Sequence, residues 1–308
     1  MNDIELVNKF KPIYYIHSQE QYFPAVIKTY ISLSTINKND NGNEIFKGDN
    51  DLLSSEILAQ NMKLSEYSSL NNDKSTLRLK PEHDYYIRGD SDLPNIPIYS
   101  NIVRKENKTY INYNTFFSYN HDYLIMGFAY IGHHYADIEH ITVELVNDKI
   151  SRIYFAQHSD GEWKNVGEFE TEGDRPICYI AKGSHATYPY AGVYVRIYGF
   201  ANDYTEKGFR WDAPVQMLYE PSHSKYDPKT MGFLEYHGDW GWGQVAGISD
   251  KLYWKYPEQQ IGKPYIYIKN TYLSIFFNSN FIILSIIFLV IIFFFIKNLY
   301  KQNILCLT

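Results

Sequence analysis

Asp137-Ile138-Glu139-His140-Ile141-Thr142-Val143-Glu144-Leu145 is the stretch that decides the fold class. Its odd positions, Asp137, Glu139, Ile141, Val143 and Leu145, form one row, and Ile138, His140, Thr142 and Glu144 form another. Successive side chains of an extended chain point to opposite faces, so a period of two reads as a β-strand with one apolar row turned inward. Asn147-Asp148-Lys149 follows with turn chemistry, which makes Ile150 to Gln157 the expected hairpin partner.

Outward from this hairpin, Ile96-Pro97-Ile98-Tyr99 and Thr109-Tyr110-Ile111-Asn112-Tyr113 are short, β-branched and aromatic, and residues 176–181 and 192–198 read as further extended segments. Residues 12–33 alternate around Pro24, which predicts a strand, a turn and a second short extended piece. Asn37, Asn39, Asp40, Asn41, Gly42 and Asn43 are turn formers, and Asp51 to Met62 has helical spacing, so residues 35–60 read as an excursion loop. There is no internal repeat, heptad run or low-complexity linker. The expected architecture is mainly β, a single β-sandwich-like domain over residues 1–270 with long loops and short helices.

The tail follows a different rule. From Asn270 to Ile296 no residue is charged, from Phe281 to Ile296 only Ser285 is polar, and Lys297 and Lys301 close the run. A bilayer core takes about 20 helical residues, so a transmembrane helix is expected over residues 273–296 with a short tail, 297–308, beyond it. A globular helix rarely lacks a polar face for so many turns. Met1 to Lys11 carries Asp3, Glu5 and Lys9 and no long apolar core, so it does not read as a signal peptide. A single-pass, tail-anchored arrangement with the soluble domain in the cytosol is therefore expected.

The net charge of −6 and pI near 5.9 provide no basic stripe for a phosphate backbone, which argues against nucleic acid as a partner. With only Cys178 and Cys306, and Cys306 beyond the apolar run, the sequence argues against a disulfide framework.

The candidate chemistry begins at Gly132-His133-His134-Tyr135-Ala136-Asp137-Ile138-Glu139-His140. Asp137 and Glu139 head a row that is otherwise apolar. Two acids about 7 Å apart along a strand repel unless a cation, an arginine or a shared proton lies between them. His134 is placed to supply a nitrogen, and carboxylates with one imidazole suit Mg²⁺, Ca²⁺ or Mn²⁺ better than Zn²⁺. The alternative is that both acids are solvated at a sandwich rim. His158 and His185 follow strand ends and are candidates to converge on the same place as proton shuttles. Ser184 adjoins His185, but neighbours in an extended chain point apart, so the two do not form a nucleophile–base dyad.

From Gly132 to His140 the chain resembles the vacuolar protein sorting-associated protein 62 family, and the resemblance covers about residues 9–245. It rests on ordered blocks: Pro12-Ile13-Tyr14-Tyr15-Ile16-His17 with Glu20, Tyr22, Phe23 and Pro24; Phe116-Phe117-Ser118-Tyr119-Asn120; Gly132 to His140; and His158 with Gly161 and Trp163. Gly183-Ser184-His185-Ala186 with Tyr188 and Pro189, Asn202-Asp203 with Gly208, Trp211 and Asp212, and Gly238-Asp239-Trp240-Gly241 complete it. Where that family usually has Gly and Trp around the acidic pair, this chain has Ala136 and Ile138. The His-x-x-Asp-x-Glu skeleton is also similar to the Gly-His-Arg-His-Asp-Trp-Glu heptapeptide of necrosis-inducing, Nep1-like toxins. That resemblance implies a β-sandwich and a divalent cation used at lipid head groups, with His134, Asp137 and Glu139 as ligands. It implies an upstream acid as well, for which Asp122 is the candidate and Asn120 the reserve.

Three functions follow as expectations. The first is a membrane-anchored, cation-dependent recognition domain for lipid or glycan head groups, with the trafficking role the family name implies. The second is a metal-dependent hydrolase using His158 or His185. The third is a structural membrane protein of a virion or organelle.

Overall fold

The computed structural model describes residues 1–38, 43–46, 54, 58, 77–81, 87–125, 129–196, 201–236, 238–241, 251–252, 255–269 and 286–297. The hairpin at its centre joins His134–Val146 to Lys149–Gln157, and Asn147 and Asp148 both have positive φ, 53° and 55°, as a type I′ turn demands. The six-stranded sheet built on it runs Asp160–Asn165, Lys149–Gln157, His134–Val146, Lys108–Asn120, Ile98–Lys105 and Val215–Met217. A second sheet runs Thr171–Glu172, Arg175–Ile180, Ile13–Ile16 and Phe209–Trp211, with Thr187–Tyr188 paired to Arg175–Ile180.

The two sheets bury one shared core. Ile111, Tyr113, Phe117, Ile141, Val143, Leu145, Ile153 and Phe155 from the first meet Tyr14, Ile16, Cys178, Ile180 and Trp211 from the second. The inward row predicted at Ile141, Val143 and Leu145 is thus an inner row of a sandwich-like domain. Asp3–Lys9 forms a short helix that adds Leu6 and Val7 to this core. It starts on a capping box in which the Glu5 amide donates to Asn2 Oδ1 at 3.0 Å and the Asn2 amide donates to Glu5 Oε2 at 2.9 Å.

The opposite face of the six-stranded sheet is buried as well. Phe116, Ile138, Tyr99, Tyr30, Phe233, Tyr236, Trp240 and Leu252 form a second, largely aromatic cluster there. Beside it runs a polar ladder. Asn112 donates to Asn101 at 3.2 Å, Thr142 to Asn112 at 2.7 Å and Gln260 to Thr142 at 2.7 Å, while Gln260 Oε1 meets His140 Nε2 at 2.9 Å. These bonds offset desolvation along the ladder, except at its end, where the Asn101 amide nitrogen is buried without a partner among the described residues.

Three expectations are corrected. The piece after Pro24 is the helix Ile27–Ser32, whose Ile27, Tyr30 and Ile31 are buried, and not a second extended segment. The start of the excursion loop is a paired hairpin, Ser34–Lys38 with Asn43–Phe46, and Leu77–Pro81 joins it on the other side. The strand at Thr109 extends to thirteen residues, Lys108–Asn120. The helical run expected at Asp51 to Met62 lies outside the described residues except for Ser54 and Leu58. In the tail, residues 286–297 are helical and every side chain from Ile286 to Ile296 is exposed, while the rest of the expected 273–296 span lies outside the described residues. Among the described residues no helix is long and apolar enough to cross a membrane.

Burial lowers the pKa of His140 to about 4 from 6.5, against the opposing effect of its bond to Gln260. The folded form then takes up this proton only near pH 4, the unfolded form near pH 6.5, so the stability His140 contributes is complete above pH 6.5 and lost as pH falls to about 4. Chemical denaturation at pH 7 and pH 4 should show the wild type losing about 3 kcal/mol more than His140→Gln. Equal losses in the two proteins would show that His140 does not carry this dependence.

Candidate functional site

Asp137 and Glu139 extend the inner row past Ile141, opposite Phe117 and Thr115 on the neighbouring strand. Both are buried, at 5% and 6% exposure, so neither is solvated at a rim. The backbone between Tyr135 and Asp137 passes through a left-handed residue, Ala136 at φ 54°, a conformation that costs a non-glycine residue about 1 kcal/mol. Its methyl group is fully buried in the aromatic cluster, which compensates in packing.

Two imidazoles clamp Asp137. His134 Nε2 lies 3.2 Å from Oδ1, and His185 Nδ1 lies 2.9 Å from Oδ2. Burial opposes ionisation of Asp137, but these hydrogen bonds outweigh it and hold the carboxyl well below the usual range. For His134 burial disfavours the charged ring, and the bond to Asp137 together with that group's charge overcomes it, raising the pKa. Glu139 goes the other way. Burial first, then the negative charge of Asp137, push its pKa well above the ordinary value. Its carboxyl makes no hydrogen bond among the described residues; Lys251 and Arg196 act on it only through their charge.

His185 reaches Asp137 because of a tight turn between Arg175–Ile180 and Thr187–Tyr188. The Ala181 amide donates to Ala186 at 2.9 Å and the His185 amide to Ala181 at 3.0 Å. Gly183 and His185 have φ of 74° and 59°, and a methyl on Gly183 would come within 3.2 Å of His121 Cβ. Glu20 pins the turn to the loop after Ile13–Ile16: it accepts from the Gly183 amide at 2.6 Å and from the amides of Gln21 and Tyr22 at 2.8 and 2.9 Å. The imidazole stacks on Phe117 with centroids 3.7 Å apart and planes 2° from parallel, and its Nε2 faces the Tyr22 carbonyl at 3.2 Å. It is fully buried, with both nitrogens engaged.

His158 does not converge on the acid pair. Its Nε2 lies 2.8 Å from Asp203 Oδ2, in a second cluster where Asp203 accepts from Ser184 at 2.7 Å, Tyr188 at 2.5 Å and Arg196 at 3.5 Å. Ser184 and His185 point apart, as adjacency implied: one serves Asp203, the other Asp137. Asp122 contacts His133 at 2.5 Å, and the Asn120 amide donates to Gly132 at 2.7 Å. Among the described residues no group of three or more His, Cys, Asp or Glu side chains is gathered to hold a metal ion. Glu20 and Asp203 carry no chemical signal in the sequence beyond their place in the ordered family blocks.

Residues 2–242 match the family described as vacuolar protein sorting-associated protein 62. The Saccharomyces cerevisiae protein TDA6, whose name places it with the vacuolar protein sorting-associated proteins, is 23% identical over 293 residues. The match covers 79% of this chain and 61% of that relative, so the chain spans less than two thirds of its length. Among solved structures, the chain is similar to Necrosis and Ethylene inducing Protein 2 from the causal agent of cocoa's Witches Broom disease, with a TM-score of 0.41 and 14% identity over 80% of this chain and 86% of that one. The non-toxic HaNLP3 protein gives a TM-score of 0.41 and 13% identity over 83% and 88% of the two chains. NLPPya in complex with glucosamine gives 0.39 and 14% over 75% and 77%.

His185→Leu should leave Asp137 buried with a single partner and cost about 3 kcal/mol in denaturant unfolding, whereas His134→Ala, at a partly exposed ring, should cost about 1 kcal/mol. Equal costs for the two would contradict the account of the clamp.

Proposed function

The chain belongs to the vacuolar protein sorting-associated protein 62 family, and from that premise we propose that it is a membrane-tethered recognition domain for lipid or glycan head groups, acting in vacuolar sorting. One observation carries the reading: Glu139 is a buried carboxyl with no hydrogen-bond partner among the described residues, beside the negative charge of Asp137. Such a group is costly unless a proton, a cation or a ligand joins it. The donor chemistry suits a divalent ion of the Mg²⁺ or Ca²⁺ type, with His134, Asp137 and Glu139 as the residues that would hold it. The described side chains are not gathered for coordination: both Asp137 oxygens are bonded to imidazoles, His134 and His185, and the His134 bond would be exchanged on binding. Such an ion would supply positive charge that offsets the two acids and attracts anionic or hydroxyl groups of a head group. Asp122, in contact with His133, stands outside this set.

Tethering rests on the uncharged run from Asn270 to Ile296 and on the exposure of each side chain in its described helical part, Ile286 to Ile296. The hydrolase reading is less well supported. Both nitrogens of His185 are engaged within a fully buried ring, and His158 serves Asp203, so neither is a free base beside the acids.

Calorimetry on the full chain in detergent, with Mg²⁺, Ca²⁺, Mn²⁺ and Zn²⁺ in turn, should give binding that weakens at least about tenfold in Glu139→Ala. No heat from any of the four ions would remove the cation from this function. Alkaline carbonate should leave the full chain in the membrane pellet and release a chain that stops at residue 270. Release of both would remove the tether.

A further inference from the structure

The strand Ile266–Lys269 ends four residues before Leu273, where the span expected from the sequence begins. Four extended residues reach about 14 Å at most. If the tail enters a bilayer, the surface carrying this strand is held within that distance of the head groups. The strand lies at the edge of a three-stranded sheet, paired on one side with Gly192–Val195.

The composition of the segment fits such a position. Ile261, Ile266 and Tyr256 are 87%, 70% and 58% exposed, a cost for a surface facing only water. Residues 251–269 carry four lysines, Lys251, Lys255, Lys263 and Lys269, against one acid, Glu258, in a chain whose net charge is −6. Glu258 is itself paired with Lys105. Tyrosine, isoleucine and lysine together, next to an apolar span, match the interfacial zone of a membrane, and the lysines complement anionic lipid.

We propose that the surface of residues 255–269, led by Tyr256, Ile261, Lys263, Ile266 and Lys269, lies on the anionic head-group layer of the bilayer that the chain's own tail enters. This rests on the tethering proposed above. It also brings the Asp203 cluster close to the bilayer. Tyr265 adjoins the strand, with its ring 5.5 Å from the Arg196 guanidinium and 6.5 Å from the His158 ring, so the Asp203 cluster stands beside the membrane-facing segment.

The test uses the full chain carrying Cys306→Ser, since Cys178 is fully buried, in vesicles of phosphatidylcholine and phosphatidylserine. Single fluorophores are attached at Ile261→Cys, Ile266→Cys, Leu289→Cys and Val166→Cys, with nitroxide quenchers on the lipids. Val166 is a control. It is exposed just past the Asn165 end of the Asp160–Asn165 strand, about 20 Å from the Asp160 end that accepts from the Lys263 amide at 3.3 Å. Labels at 261, 266 and 289 should be quenched several-fold more than the label at 166. Adding Lys263→Glu and Lys269→Glu should reduce quenching at 261 and 266 and leave 289 unchanged. Quenching at 289 with 261 and 266 equal to 166 would overturn the docking surface and leave the tether standing. An unquenched label at 289 would overturn the tether, and the surface with it.

Discussion

The pairing of Asp137 with two imidazoles is the constraint on which the site depends. A lone carboxylate at the end of an apolar sandwich row would be strongly destabilising, and it is held there because His134 and His185 offset the loss of water. His185 in turn requires the turn at residues 181–186, the stack on Phe117 and the loop that Glu20 fastens to that turn. Three separate parts of the chain are therefore positioned by one buried charge. Because breaking a buried pair costs more than the pair contributes over an apolar replacement, such an arrangement fixes geometry more than it adds stability.

The sequence disclosed most where one rule governed a segment. Alternation from Asp137 to Leu145 and the Asn147-Asp148 turn gave the central hairpin and the shared face of the two acids, because period and turn chemistry agreed. It disclosed less where polar residues sit in buried strands. Asn114 interrupts the apolar pattern of Lys108–Asn120 after Tyr113, where the pattern stops reading as strand. Asn112 bonds to Asn101 and Thr142, and the Asn114 amide donates to the carbonyls of Tyr99 and Leu252, partners up to 138 residues away that no local pattern reveals. The helix Ile27–Ser32 has three β-branched residues, Ile27, Thr29 and Ile31, which bias a sequence reading toward strand, and packing of Tyr30 and Ile31 into the aromatic cluster overrides that bias. Asn2 and Glu5, three residues apart ahead of Leu6 and Val7, carry the capping-box signature in the sequence itself.

The aromatic content has a structural use that composition alone did not show. Tyr30, Phe116, Phe233, Tyr236 and Trp240 form a network of edge-on rings with one stacked pair, Tyr30 on Trp240, on the second face of the six-stranded sheet, where Tyr30 also donates to the Trp240 carbonyl at 2.5 Å. A sheet covered on both faces can hold polar side chains within its strands only if the cover brings partners. Gln260 does this for Thr142 and His140, and it belongs to the segment that leads to the tail. The route from the domain to the tail is thus packed into the central sheet before it reaches the edge strand.

Ser184 and His185 sharpen the case that the two carboxylate clusters are one unit. Adjacent residues in a single turn serve Asp203 on one side and Asp137 on the other, so neither cluster can shift without moving the other. Glu139 senses both, since the charges of Asp137 and Asp203 each raise its pKa. A positive charge reaching Glu139 would reduce the repulsion from both acids at once. Arg196 and His158 of the Asp203 cluster both lie against the Tyr265 ring, so that cluster also stands next to the edge strand Ile266–Lys269.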